Sequence, residues 1–150
     1  MEIVCIGKSA HGAHPDLGEN AITGLMAFLS QLHFANEDVN AFIAFYQKYI
    51  GHELDGASMG CRLEDDCSGV TVFNVGEIHM DLKAARLVIN VRYPVSFTQE
   101  DVYRGMSPIC EAYDIGIIKG KDEPPVYLDA TQIGERRVGK ECRSRWSPYH

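Results

Sequence analysis

No stretch of the sequence approaches the ~20 consecutive apolar residues that cross a bilayer. The longest apolar run, around Ala21–Leu32, is broken by polar residues, and MEIVCIGKSAHG at the start has no basic segment leading into an apolar one. Neither membrane insertion nor a secretory leader is expected, and the expected location is the cytoplasm. Basic residues are also scarce, 14 Lys and Arg against 21 Asp and Glu, for a net charge of −7. Phosphate contacts need a surplus of Lys and Arg on one face, so a nucleic-acid partner is not expected. No CxxC pair occurs among Cys5, Cys61, Cys67, Cys110 and Cys142, and their odd number fits free thiols better than a disulfide framework. HExxH, GxxxxGK[ST] and GxGxxG are all missing. On residues alone, no catalytic engine is visible.

What is present is enough chain for a core: 150 residues, 45% hydrophobic, near the common size of one domain. The charge is unevenly spread. Ile133–His150 holds five basic and two acidic residues and the only tryptophan, Trp146, which leaves residues 1–132 at −10. This tail has neither helical nor strand periodicity, and ERRVGKECRSRWSPYH resembles the translation of a sequencing-adapter oligonucleotide. It is read as an artefactual or disordered tail, outside the fold.

Before the tail, Glu2–Lys8 is a β-branched run ending near Gly7 and reads as a strand. A Gly- and Pro-punctuated loop follows, then a helix capped by Asn20 with Ile22, Leu25, Met26, Leu29 and Leu32 on one face. A second helix is expected from Asn36 or Asp38 to Gly51. Val70–Gly76 and Ala85–Tyr93 read as neighbouring antiparallel strands joined through EIHMDLKA. Thr98-Gln-Glu-Asp101 resembles a capping box opening a helix that Pro108 should kink or shorten. Asp114–Lys119 reads as a last strand, and KDEPPVYLD as an extended connector. The order β-α-(α)-β-β-α-β predicts an α+β, ferredoxin-like fold: a four-stranded antiparallel sheet with helices on one face. The predicted organisation is a domain over 1–120, a connecting segment over 121–132, and the tail over 133–150.

Two residues stand out. His11 lies in GKSAHGAHPDLGENAI, a loop of small residues where glycines would let a ligand approach the backbone; the bland alternative is a solvated surface histidine. Arg92, in INVRYP, shares a strand face with Val88 and Asn90, opposite Leu87, Ile89 and Val91. A guanidinium on a rigid strand suits bidentate capture of a carboxylate; a surface arginine with a glutamate neighbour is the alternative.

The runs GKSAHGAHPDLGENA, GCRLEDDCSGVTVFNVG, LVINVRYPV and PPVYLD, in that order, resemble the lid half of dinuclear-metal dipeptidases of the PepV and Sapep kind. Those are relatives of carnosinase, carboxypeptidase G and succinyl-diaminopimelate desuccinylase. The resemblance covers Glu2–Asp129. It implies a dipeptide substrate, two Zn²⁺ or Mn²⁺ ions held by a separate catalytic domain of the same polypeptide, and a bridging water activated by a carboxylate. It further implies that His11 stabilises the oxyanion of the tetrahedral intermediate and that Arg92 binds the substrate's C-terminal carboxylate. The family's metal ligands lie upstream and far downstream of such a lid; His79 matches no ligand position and His150 falls in the tail. This chain alone is therefore expected to bind no metal and to hydrolyse nothing. The rival expectation is a stand-alone ferredoxin-like module that binds a small ligand or forms a homodimer through its sheet edge, without catalysis.

Overall fold

Asparagine begins two of the three α-helices among the described residues. In the computed structural model, which describes residues 1–11, 14–128 and 141–144, Asn20 Oδ1 accepts from the Ile22 amide at 2.9 Å and opens α1 (Ala21–Leu29). Asn36 does the same for Asp38 at 2.9 Å and opens α2 (Glu37–Tyr49). Each supplies an acceptor to an amide that has no partner inside its helix. The third, α3 (Gln99–Ala112), starts at Thr98, whose backbone amide donates to Asp101 Oδ2 at 2.8 Å, the reciprocal half of a capping box. α3 does not end at Pro108 but runs four residues beyond it.

The strands depart more from expectation. β1 (Glu64–Asp65) pairs antiparallel with β2 (Gly69–Val70), and β3 (Val72–Met80) pairs with β4 (Ala85–Arg92). The first half of EIHMDLKA, Glu77–Met80, is strand rather than connector. Only Asp81–Ala84 turns, with the Asp81 amide donating to the Ala84 carbonyl at 2.9 Å and Asp81 Oδ1 accepting from Lys83 and Ala84 at 2.7 and 2.9 Å. β5 (Pro125–Leu128) pairs antiparallel with β6 (Glu141–Ser144). Pro125 stands at the first position of its strand, where a missing N–H is tolerated, so the paired prolines do not forbid a ladder here.

The single four-stranded sheet is not formed among the described residues, which hold three two-stranded sheets. Glu2–Lys8 contributes one bridge, Lys8 to Glu19, and Asp114–Lys119 is not a strand. Ile6 and Ile118 are 87% and 89% exposed. β-Branched composition marks a residue that fits a half-buried pleated surface; it does not supply the neighbouring strand against which that surface forms. The tail reading falls on residues mostly outside the described ones, as do Gly12 and Ala13, and the connecting segment after Leu128. Glu141–Ser144, within the tail, is a strand, contrary to the expectation of no regular element there.

The chain divides into two units, residues 1–58 with 72–91 and residues 59–71 with 92–150. In the first, α1 packs on α2 and on β3, and Met26, Ile43, Phe45, Tyr46, Phe73 and Val75 are buried. The buried residues of α2 are Ile43, Phe45 and Tyr46. Burial raises the pKa of the Tyr46 phenol, partly opposed by the Thr23 hydroxyl 3.3 Å away. In the second unit Met59, Cys61, Val102, Met106 and Cys110 are buried. There α3 lies against the backbone of Gly60 through Gly105: a Cβ on Gly60 would sit 2.5 Å from the Gly105 carbonyl oxygen. Cys5, Cys61 and Cys110 are free thiols, as the sequence suggested, whereas Cys67 is disulfide-bonded. Spacing along the chain says nothing about thiols that folding brings together. Among the described residues no helix is long and apolar enough to cross a membrane.

Candidate functional site

His11 belongs to the first unit. Its imidazole is exposed, its carbonyl accepts from the His14 amide at 2.8 Å, and the two rings stand 6.5 Å apart. The connection carrying it is closed at the base: Lys8 and Glu19 exchange both backbone hydrogen bonds at 2.9 Å. The flanking glycines serve this closure. A Cβ on Gly18 would lie 2.5 Å from the Lys8 carbonyl oxygen and 2.6 Å from Ala10 Cβ, and one on Gly7 would strike the Glu19 carbonyl. The space that the sequence reading gave to a ligand is, at these two positions, taken by the chain itself.

Downstream of that neck, Asn20 does more than cap α1. Its Nδ2 donates to the Val75 carbonyl at 2.8 Å and to Asn74 Oδ1 at 3.2 Å, which ties the end of the connection to β3.

Arg92 is the last residue of β4 and belongs to the second unit. Alternation placed it on the face away from the packed side, yet β4 is half-buried on both faces from Leu87 onward, and Arg92 Nε and Nη2 are shielded from solvent. Burial lowers the guanidinium pKa from its ordinary value. A shielded cation of this kind favours an anion beside it.

The turn after Arg92 is held by a clasp that sequence reasoning missed. Asp65 Oδ1 accepts from the Cys67 and Ser68 amides at 3.1 and 2.6 Å and from Ser68 Oγ at 2.8 Å; its Oδ2 accepts from the Ser96 amide at 3.0 Å. Ser68 Oγ in turn accepts from the Val95 amide at 2.9 Å. Burial pushes the Asp65 carboxyl up, but the hydrogen bonds from Ser68 and Ser96 together outweigh it and hold the group well below the usual carboxylate range. Tyr93 donates to Asp122 Oδ1 at 2.6 Å; burial first, then this bond and the charge of Asp122, raise its pKa. The Asp-x-x-Ser spacing was the only local signal of the clasp.

A surface depression of about 440 Å³ at the end of α2, lined by Gln47, Lys48, Ile50, Gly51, His52 and Glu53, includes neither His11 nor Arg92. His79 sits on β3, exposed, 3.3 Å from Glu77. Among the described residues no group of three or more His, Cys, Asp and Glu stands together to hold a metal ion. The metal pair implied by the resemblance has no ligand set among these residues.

An α+β fold, with a histidine in the connection leading to α1 and an arginine closing β4, is the context in which the chain meets known proteins. Residues 1–104 match the M20 peptidase dimerisation domain, and the chain belongs to that family. It is 35% identical over 124 residues to a protein of Staphylococcus aureus (strain USA300) named "Putative dipeptidase", covering 82% of this chain and 26% of that one. A protein of the same name in Staphylococcus haemolyticus (strain JCSC1435) is 31% identical over 140 residues, 93% of this chain and 30% of its own. The chain thus spans about a quarter of the length of the curated relatives it matches.

Proposed function

We propose that this chain is the lid portion of a metal-dependent dipeptidase, in which His11 stabilises the developing oxyanion and Arg92 binds the C-terminal carboxylate of the dipeptide. The observation that carries the reading is the shielded guanidinium of Arg92, fixed at the end of β4 in a domain of a peptidase family. The names of the staphylococcal relatives support dipeptides as the substrate class.

The chemistry of the two residues divides cleanly. A carboxylate is charged in substrate and transition state alike, so Arg92 contributes uniform binding and sets KM. Its planar fork suits two parallel hydrogen bonds to one carboxylate, and a substrate whose C-terminus continues cannot offer that charge, which limits cleavage to the chain end. The oxyanion exists only as the carbonyl is attacked, so a donor from His11 acts on kcat. A lid that excludes water strengthens both contacts. The metal ions, held outside this chain, would supply the activated water.

The Arg92 assignment is checked in the complete enzyme by steady-state kinetics of Arg92→Ala on a dipeptide and on its C-terminal amide. The expected result is a rise in KM for the free dipeptide of at least about tenfold, the scale of one charge-assisted contact, with little change for the amide. Equal effects on both substrates would refute carboxylate binding by Arg92.

A further inference from the structure

We propose that Asn20 is a positioning residue for His11; this rests on the reading of His11 as the oxyanion donor. One side chain carries three hydrogen bonds with two separable jobs. Oδ1 caps α1 by accepting from Ile22 at 2.9 Å, a local interaction across two residues. Nδ2 donates to the Val75 carbonyl at 2.8 Å and to Asn74 Oδ1 at 3.2 Å, across more than fifty residues of sequence. The cap needs only an acceptor, which serine or aspartate also provides. The tether needs a donor on a side chain of this reach, which neither provides.

The tether acts where the His11 connection closes. Glu19, adjacent to Asn20, exchanges two backbone hydrogen bonds with Lys8 at 2.9 Å, and Gly7 and Gly18 leave no room for a side chain at that neck. Fixing Asn20 to β3 therefore fixes Glu19, Glu19 fixes Lys8, and the two ends of the connection that bears His11 are referred to the sheet. An oxyanion donor is effective only when it is held in place before the charge develops, so a device of this kind raises kcat and leaves ground-state binding alone.

Asn20→Ser separates the two jobs, because its hydroxyl can still cap α1 but cannot reach Val75. In the ¹⁵N-labelled 150-residue chain, amide hydrogen exchange at Lys8 and Glu19 is expected to quicken by about tenfold, the scale of one lost hydrogen bond, while far-UV helicity and protection within α1 stay as in the parent. Asn20→Asp, a strong cap that sets a carboxylate against the Val75 carbonyl, should give the same pattern. In the complete enzyme Asn20→Ser should lower kcat with KM unchanged, a split that a purely structural role would not produce. Unaltered exchange at the neck would overturn the proposal. So would exchange that quickens equally throughout α1, or loss of folding in both variants, since Asn20 would then serve only the helix or the core. Full turnover in His11→Ala would sink the underlying reading, whereas unaltered neck exchange in Asn20→Ser sinks this inference alone.

Discussion

Asp65 shows how much one exposed loop can depend on a single carboxylate. Both of its oxygens accept hydrogen bonds, one from its own turn and one from Ser96, just beyond Arg92. The carboxyl is held below its unfolded value of about 3.9, so the unfolded chain binds the proton more readily. The contribution of Asp65 is thus complete above that value and is lost as the pH falls towards the folded one. Asn offers one acceptor where Asp offers two, and its amide would meet the Ser96 N–H donor to donor. Thermal melts should place Asp65→Asn below the parent at pH 7, with the gap narrowing below about pH 4. A gap that stays constant from pH 7 to pH 2 would contradict this account of the clasp. Little of this was legible from the sequence. His11 and Arg92 could be picked out because small-residue loops and strand arginines have local signatures. Ser96, the distant partner of Asp65, and the partners of Asn20 Nδ2 lie far along the chain.

At the scale of elements, helix starts were readable and strand pairings were not. Asn20, Asn36 and Thr98 each satisfy amides within three residues, so the sequence alone holds their signal. A strand is completed by another segment, and neither Glu2–Lys8 nor Asp114–Lys119 carries any mark of whether that segment arrives. The extension of β3 through Glu77–Met80 was missed for a related reason: the polar, exposed end of a hairpin lacks the alternation that betrays a half-buried strand. The contact of α3 with Gly60 offers a sharp test of packing at this scale. Gly105→Ala places a methyl group into the Gly60 carbonyl and should destabilise by about 1–3 kcal/mol, the cost of overpacking, read as a drop in Tm of several degrees. Gly116→Ala, with no atom within 4 Å of the added carbon, should leave Tm near the parent value. Equal melting of the two variants would mean that α3 does not pack through that glycine pair.

For the whole molecule, the absence of a metal-ligand motif such as HExxH and membership in a peptidase family are reconciled by span. The chain covers 26% of its S. aureus relative, and its match to the family runs over residues 1–104. On the proposed reading, a lid contributes contacts to the substrate and leaves bond cleavage to groups elsewhere. The proposed chemistry rests on His11, in the connection that Lys8 and Glu19 close, and on Arg92 at the end of β4. The most direct measurement is the steady-state kinetics of His11→Ala in the complete enzyme, assayed on a dipeptide beside a thermal melt. The account predicts kcat lower by ~10²–10³ with KM and Tm close to the parent, because the oxyanion donor acts only in the transition state. Parental kcat in a folded His11→Ala enzyme would contradict it.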